Sequence, residues 1–395
     1  MAGYFHQYLR SAVLLLQEYE GREPFSVFLK SYFKKNKKFG SRDRKIIGDL
    51  CFGYLRIGQA AASSSIEDQI KIGFYLTHQE DNGFLEAVHP GFLNTISQPI
   101  SYKIEYLNQQ PISFDLDGIF PFSTFLSSEI DASAFGVSHL QKSLYFIKIR
   151  PGKKQVVLET LKQHRISFKA FENDVLGFDQ NIDLSAVLKM DEDIVVQDIS
   201  SQKTMDIVKG LPLKGESVWD ACAGGGGKSI LVADQFPFKT HVASDIRPSI
   251  LEELSKRMKR ARLDLQATFC VDLSNSLAVQ VAKSYLPKEG VELIIADVPC
   301  SGSGTWGRAP EWLRLFDPVE IDAYQRKQVS IVENLLPLVK KNGYLLYITC
   351  SVFEKENEVV LKAIKEKHAI NILESKYIVG FPQGGDQLFS ALITL

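Results

Sequence analysis

The second half of the chain alternates strand-like runs with stretches of helical spacing, and this alternation constrains the fold more than any other feature. Runs rich in β-branched and aromatic residues recur after Gln197, and we predict strands at 217–220, 240–245, 267–271, 291–297 and 344–350, with a final pair at 377–379 and 388–395. Such alternation is typical of a doubly wound, mostly parallel sheet with helices on both faces. Residues 196–395 are therefore predicted to form a Rossmann-like α/β domain.

The first half of the chain has a different pattern. Tyr4, Leu9, Val13 and Leu16 follow helical spacing, so we predict a mostly helical region over 1–135, within which the acidic stretch 67–131 is not assigned. The run LYFIKIR, which starts at Leu144, then predicts a strand, and a helix and two short strand-like runs follow it. Residues 140–195 are predicted to form a small α/β module.

Composition excludes several classes of protein. With 395 residues, 45% hydrophobic and 24% charged, the chain has the proportions of a globular protein of two or three domains. The longest early apolar run, Ala12 to Leu16, is too short for a membrane span or an export signal. The five cysteines contain no CxxC pair, so we expect neither disulfides nor a metal site. We expect a cytoplasmic protein that has no membrane partner.

Charge alone does not indicate a nucleic-acid partner. The net charge is −1, although eight basic residues lie between Lys30 and Lys45, and a second basic run spans Lys256 to Arg262. Such runs suit phosphate contacts, but most charge runs are simply solvated faces, and we favour that interpretation for each run taken alone.

A glycine run follows the first strand of the predicted sheet. The sequence VWDACAGGGGKS, residues 218–229, places it between a strand and a helix that begins near Gly227. Free amides at such a helix start can bind a ligand that approaches closely, which predicts a nucleoside cofactor; a merely flexible turn is the alternative. The run does not match the loop of a nucleotide triphosphatase, because Cys222 occupies the position where that loop requires glycine.

Three acids follow successive strands of the same sheet. Asp245, Asp272 and Asp297 come at or just after strand ends, and Asp245 lies at the spacing from the glycine run that suits a ribose-binding acid. Because ligands bind at the carboxyl ends of parallel strands, we expect all three acids to lie at one edge with the glycine run.

Two cysteines occupy matching places on the predicted fourth and fifth strands. Cys300 follows one strand in DVPCSGSG, and Cys350 ends the next in YITCS, so neighbouring strands would bring both thiols into one cleft. Two thiols beside a cofactor predict covalent catalysis, because a thiolate can activate an aromatic ring by adding to it. We interpret Cys51 and Cys270 as buried apolar residues and Cys222 as a partner of the glycine turn.

These motifs resemble one known family. VVQDISSQ, DACAGGGGKS, DVPCSGSGTWGRAPEW and YITCSVFEKENE resemble the S-adenosylmethionine-dependent RNA (cytosine-5)-methyltransferases of the RsmB/Sun type, over residues 197–395. The resemblance implies a class I methyltransferase domain, preceded by a small RNA-recognition-like module. Through SRDRKIIGDLCFGYLR, it also implies a NusB-like helical extension within 1–135.

The resemblance implies roles for individual residues. Cys350 would be the nucleophile that adds to carbon 6 of a cytosine, Cys300 would assist removal of the carbon-5 proton, and Asp297 would hydrogen-bond the ring. S-adenosylmethionine would bind to Cys222, Ala223, Gly224, Gly225, Gly226, Gly227, Lys228, Asp245, Asp272 and Asp297. The implied partner is RNA, most often ribosomal, with an unstacked target base. We expect a monomer without a metal.

The chain departs from the family at Gly224-Gly225, where the usual turn carries Ala-Pro; this turn loses rigidity but keeps its amides. Two alternatives stay open. One is a methyltransferase of another acceptor, such as an adenine amino group, which would not need Cys350. The other is a ribosome-assembly protein that binds RNA without turnover.

Overall fold

The structure is a computed structural model that describes residues 2–179 and 182–395. The chain forms two compact units, one made of residues 1–142 and 305–318 and the other of residues 143–304 and 319–395. The domain bounds predicted from the sequence stay a prediction.

The first unit is helical. Its helices before residue 143 are α1 (Ala2–Glu18), α2 (Phe25–Lys35), α3 (Ser41–Arg56), α4 (Ile66–Thr77), α5 (Phe84–Val88), α6 (Ile100–Asn108) and α7 (Ala132–Ser138). Apolar residues at helical spacing, such as Leu9 and Leu50, are buried together in one core. Helix α4 begins where the Ser65 side chain accepts a hydrogen bond from the Asp68 amide, a common helix start.

The second unit begins with a small antiparallel sheet. Its elements are β1 (Tyr145–Ile149), α8 (Lys154–Gln163), β2 (Lys169–Phe171), β3 (Val175–Phe178) and β4 (Ile194–Val196). Within the described residues the strand order is β2-β3-β1-β4. Helix α8 buries Val157 and Leu161 against the strands, so the predicted strand–helix pattern of this segment is present.

The main sheet fills the rest of the second unit. Its strands are β5 (Ser217–Asp220), β6 (Thr240–Asp245), β7 (Ala267–Cys270), β8 (Val291–Asp297), β9 (Val339–Thr349), β10 (Asn371–Val379) and β11 (Gln387–Thr394). Across the described residues the order is β10-β11-β9-β8-β5-β6-β7. Strands β5 to β9 pair in parallel and β11 pairs antiparallel with β9 and β10. The predicted mostly parallel sheet is confirmed, although β9 begins earlier than predicted.

Helices cover both faces of this sheet. In chain order the helices are α9 (Ile199–Lys203), α10 (Gly227–Gln235), α11 (Pro248–Arg260), α12 (Ala278–Lys283), α13 (Trp312–Leu315), α14 (Glu320–Leu335) and α15 (Glu358–Lys367), of which α13 belongs to the first unit. Along β5, Trp219 packs in one core and Val218 in the other. Strand β5 is buried throughout, as expected for the centre of a parallel sheet.

Segment 305–318 is bound into the helical unit by buried polar contacts. Arg314 donates to the Tyr54 carbonyl at 3.1 Å and to the Gln69 side chain at 2.9 Å. The carboxylate of Glu311 accepts a 2.9 Å hydrogen bond from the Phe25 amide. The chain therefore leaves the second unit after Gly304 and returns at residue 319.

Candidate active site

The glycine loop joins β5 to α10. Gly224 and Gly226 have φ angles of +51° and +81°, in the left-handed region that favours glycine. The Gly226 amide donates to the Ala223 carbonyl at 2.9 Å, which closes the turn before α10 begins at Gly227. Of the sequence-predicted loop residues, Gly226 is absent from the cavity lining described below, because its α-carbon faces Leu254 instead.

A cavity of about 660 Å³ opens at the carboxyl ends of the parallel strands. The other residues predicted for the site all line it: Cys222, Ala223, Gly224, Gly225, Gly227, Lys228, Asp245, Asp272, Asp297, Cys300 and Cys350. Because β5 to β9 are parallel, their ends meet at one edge, and the motifs of the sequence converge there. Gln197 and Ser201 also line the cavity, although we did not select them as site residues.

Two carboxylates lie beside the glycine loop, at the end of the cavity where the sequence predicts the cofactor, which we call the cofactor end. Asp245 accepts hydrogen bonds from the Gly224 amide at 2.9 Å and from the Arg247 side chain at 3.0 Å. Burial raises its pKa, but these hydrogen bonds outweigh burial and the net shift is downward. The hydrogen bonds from Ser274 also lower the pKa of Asp272. Both groups are therefore acceptors at neutral pH, suited to hydroxyl and amine donors.

Lys228 and Asp297 form an ion pair in the cavity wall. The Lys228 Nζ atom lies 2.7 Å from Asp297 Oδ2 and 3.2 Å from the Ser201 hydroxyl. Burial lowers the pKa of Lys228, but the negative charge of Asp297 outweighs this effect, so the pKa rises and the ammonium stays charged. The Gln197 amide nitrogen also donates to Ser201 at 3.1 Å. The signal for Gln197 and Ser201 was their place in VVQDISSQ.

Asp220, at the end of β5, is fully buried in the cavity floor. Burial raises its pKa to about 7, although a hydrogen bond from the Ser229 hydroxyl at 2.6 Å acts in the opposite direction. A carboxyl group with this pKa exchanges its proton near neutral pH.

The two cysteine thiols meet at the other end of the cavity, the thiol end. The Sγ atoms of Cys300 and Cys350 lie 3.2 Å apart, and both residues line the cavity. Strands β8 and β9 are parallel neighbours, with Asp297 opposite Ile348, so the loops that follow them start side by side. The Gly304 amide donates to the Cys350 carbonyl at 2.9 Å, which ties the two loops together.

The surroundings of Cys300 disfavour its thiolate. The hydrogen bond with Cys350, burial and the nearby negative charges raise the pKa of Cys300 well above its ordinary value. This favours the protonated thiol, which can donate a hydrogen bond to the sulfur of Cys350.

A buried carboxylate supports the loop that carries Cys300. Glu356 accepts hydrogen bonds from the Ser301 amide at 2.9 Å, from the Ser351 hydroxyl at 2.6 Å and from the Gln328 side chain at 2.9 Å. The Ser301 hydroxyl also donates to it. Glu356 is fully buried. Glu356 lies in the motif YITCSVFEKENE, but no spacing in the sequence predicts that its side chain contacts the loop of Cys300.

The other cysteines lie outside the thiol pair. Cys51 is fully buried, as predicted. The prediction of burial for Cys270 is wrong, since this residue is exposed. It ends β7, an edge strand of the sheet, which among the described residues pairs with β6 alone. Burial raises the pKa of Cys222, which packs against the main core beside the glycine turn.

The residues of the cavity fit S-adenosylmethionine. Free amides at the start of α10 and two ionised carboxylates match the carboxylate, hydroxyl and amino groups of a nucleoside-linked amino acid.

The described part of the chain holds no cluster of three or more His, Cys, Asp or Glu side chains placed to bind a metal ion. No helix among residues 2–179 and 182–395 has the length and apolarity needed to cross a bilayer.

Solved structures identify the class of fold. The crystal structure of PH0851 matches 98% of this chain and 98% of its own with a TM-score of 0.70, at 16% identity. The crystal structure of NSun6 from Pyrococcus horikoshii with SFG matches 70% of this chain and 97% of its own, with a TM-score of 0.57 and 14% identity. The fold is that of class I S-adenosylmethionine-dependent methyltransferases.

Sequence comparison identifies the family. The sequence model of the family 16S rRNA methyltransferase RsmB/F matches residues 184–384, just over half of the chain. The chain belongs to this family, which confirms the resemblance, and the cofactor of the family's fold class is S-adenosylmethionine.

Curated relatives each match about half of the chain. Ribosomal RNA small subunit methyltransferase B of Photorhabdus laumondii is 28% identical over 211 residues, which cover 51% of this chain and 47% of the relative. The protein of the same name from Yersinia pseudotuberculosis is 30% identical over 211 residues, covering 51% of this chain and 46% of its own. The chain thus matches about half the length of these relatives.

Proposed function

We propose that this protein transfers a methyl group from S-adenosylmethionine to carbon 5 of a cytosine in ribosomal RNA through a covalent adduct with Cys350. The observation that carries the proposal is the pair of thiols, with Sγ atoms 3.2 Å apart, in the same cavity as the glycine loop. A methyltransferase that modifies an amino group has no use for a nucleophile, whereas an unreactive ring carbon needs one.

The cofactor binds at the glycine-loop end of the cavity. Backbone amides at the start of α10 hold its carboxylate, Asp245 accepts from the ribose hydroxyls, and Asp272 accepts from the adenine amino group. Lys228 supplies positive charge in the same wall. When bound, S-adenosylmethionine supplies an activated methyl group. The protein directs the acceptor carbon toward it.

Cys350 is the nucleophile of the pair. Its sulfur forms a bond to carbon 6 of the cytosine, which makes carbon 5 electron-rich enough to take the methyl group. The roles of the two thiols follow the resemblance of the motifs, in which the cysteine of YITCS is the nucleophile. Cys300 gives its own proton to solvent and then takes the carbon-5 proton as a thiolate base; the carbon–sulfur bond to Cys350 breaks with its electrons returning to sulfur, and the aromatic ring is restored.

Asp297 holds the target base. One of its oxygens is bound by Lys228 at 2.7 Å, which fixes the direction of the carboxylate. The exocyclic amino group of cytosine is a donor, and a carboxylate is its usual acceptor in protein sites. The target base must leave its stack to reach this depth, because the thiol approaches the ring from its face.

RNA is the proposed macromolecular partner because the curated relatives are ribosomal RNA methyltransferases. Residues 140–195 are proposed as an RNA-recognition-like module, since their strands form a four-stranded antiparallel sheet with a helix packed on one face. The helical region 1–135 is proposed to be NusB-like. Both assignments rest on the resemblance of the sequence motifs.

Methyl transfer with nucleoside analysis tests the proposal. The whole chain is incubated with unmethylated ribosomal RNA and methyl-labelled S-adenosylmethionine, and the RNA is digested to nucleosides. We expect label in 5-methylcytidine, none with Cys350→Ala, and wild-type transfer with Cys270→Ala, which alters an exposed cysteine outside the cavity lining. Label in methyladenosine would contradict the proposal. RNA binding without any transfer would favour a non-catalytic assembly protein.

A further inference from the structure

One arginine side chain holds the glycine loop from outside. Arg257 of α11 donates from Nη1 to the Gly225 carbonyl oxygen at 2.7 Å. Gly225 lies between Gly224 and Gly226, whose φ angles are +51° and +81°. Glycine has more backbone freedom than any other residue, so a glycine run needs fixed contacts to keep one conformation. The bond from Arg257 acts at the middle of this run.

Arg257 is itself fixed by a buried carboxylate. Its Nε and Nη2 atoms lie 3.0 Å and 2.9 Å from Oδ1 of Asp191. The Arg257 side chain is 18% exposed and that of Asp191 is 5% exposed, so water competes little for these bonds. A planar guanidinium can bridge a carboxylate and a carbonyl in one rigid group, which a lysine ammonium cannot do.

Asp191 has an unusual backbone conformation. Its φ angle is +65°, although it is not glycine. Its amide donates to the Ile194 carbonyl at 2.7 Å, and its own carbonyl accepts from Arg150 at 3.0 Å. Such a conformation persists only where surrounding contacts fix it, and it is often found at functional positions. The turn before β4 therefore presents the Asp191 carboxylate to α11.

A second arginine provides a natural comparison. Arg260 lies one turn further along α11 and binds Oδ2 of the same Asp191 at 2.8 Å. Its side chain donates to Asp191 and Glu253, whereas the Gly225 carbonyl accepts from Arg257. The two arginines thus share a carboxylate but differ in their contact with the loop.

We propose that Arg257 is a positioning residue of the cofactor site. By bridging Asp191 and the Gly225 carbonyl, it holds the glycine loop in the conformation that presents its amides to S-adenosylmethionine. The identity of that ligand rests on the proposed function, whereas the effect on the loop does not. Arg257 acts through the loop backbone and not through the reacting atoms.

Hydrogen–deuterium exchange of the whole chain without ligand tests the effect on the loop. We expect amides in residues 221–229 to exchange about tenfold faster in Arg257→Gln than in wild type, since a charged hydrogen bond is lost. Arg260→Gln is the matched control and should leave this segment within about twofold of wild type. Equal acceleration in both variants, or none in Arg257→Gln, would overturn the proposal.

Calorimetric titration with S-adenosylmethionine tests the consequence for binding. We expect Kd to rise about tenfold in Arg257→Gln and to change little in Arg260→Gln, while KM for RNA stays near the wild-type value. Arg257→Lys keeps the charge but not the bridge, so it should lose most of the affinity as well. This variant carries the test if Arg257→Gln does not fold, as judged by circular dichroism.

The two measurements separate the possible failures. If wild type binds S-adenosylmethionine and Arg257→Gln binds it equally well, the positioning role is wrong. If wild type does not bind it while exchange still accelerates in Arg257→Gln, the loop contact stands and the proposed function fails. A rise in KM for RNA with unchanged Kd for S-adenosylmethionine would also contradict the proposal.

Discussion

The two ends of the cavity are lined by different chemical groups. At the cofactor end, the cavity is lined by backbone amides of the glycine loop and by the carboxylates of Asp245 and Asp272. At the thiol end, Cys300 and Cys350 are each followed by a serine that donates a hydrogen bond to the fully buried Glu356. One end suits a charged, hydroxyl-rich cofactor, and the other holds two partly buried thiols. The proposed cofactor binding and the proposed covalent chemistry therefore use separate groups along one sheet edge.

The largest expected effect is loss of the nucleophile. Cys350→Ala should lower methyl transfer at least ~10³-fold, because residues that act as the nucleophile are among the costliest to remove. Binding of S-adenosylmethionine should stay within about twofold, since the cofactor end is built from other residues. Labelled methyl transfer and calorimetry check the two expectations. A comparable loss of cofactor affinity would contradict the claim that the two ends of the cavity act independently.

Removal of the buried charge beneath the thiols should come next. Glu356→Gln replaces an acceptor of several hydrogen bonds with an amide that places a donor against other donors, at a cost of about 3 kcal/mol in the free energy of unfolding. Methyl transfer should fall as the Cys300 loop loosens. Glu354→Gln, in the same turn but exposed, is the matched control. Urea titration of both variants measures the difference, and equal midpoints would contradict the structural role of Glu356.

Asp220, in the floor of the cavity, makes the stability of the folded chain depend on pH. Burial raises the pKa of Asp220 from 3.8 to about 7 in the folded chain, so between these values the folded state holds a proton that the unfolded state has lost. Stability should therefore fall as pH rises through this window. Relative to Asp220→Asn, wild type should lose about 3 kcal/mol between pH 5 and pH 8. Parallel curves for the two proteins in urea titrations would refute the raised pKa.

The smallest of these effects concerns the cofactor end alone. Asp245→Asn should weaken S-adenosylmethionine binding about tenfold, because a neutral amide is a poorer acceptor than a carboxylate. The variant should react normally at saturating cofactor, as the thiol end is untouched. Asp264→Asn, an exposed acid outside the cavity lining, controls for the loss of one charge. Calorimetry measures Kd and kinetics at saturating cofactor measure kcat. A lower kcat without a change in Kd would contradict the prediction.

The same comparison shows how far the sequence could be interpreted. The cofactor end follows from local signals: glycines after a strand, and acids at the ends of the next strands, which parallel pairing brings to one edge. The pairing of Cys300 with Cys350 was predictable once β8 and β9 were taken as neighbours. Cys270 was misplaced because its burial depends on the edge position of β7, which no local pattern encodes.

The support beneath the thiols was not predictable. Glu356 bonds to Ser301 across 55 positions of the chain, and no spacing rule connects the two. The inclusion of residues 305–318 in the helical unit could not be predicted for the same reason. It depends on the buried contacts of Arg314 and Glu311 with distant helices, and charged residues are rarely expected in such places.

Trapping of the RNA adduct tests the central claim most directly. Purified Cys300→Ala is mixed with unmethylated ribosomal RNA and S-adenosylmethionine and compared with wild type, Cys350→Ala and the double variant on a denaturing gel. The account predicts a protein–RNA band in Cys300→Ala that persists through denaturation and is absent whenever Cys350 is replaced. No such band in Cys300→Ala, while wild type methylates the same RNA, would contradict the covalent role of Cys350 and the division of labour between the two thiols.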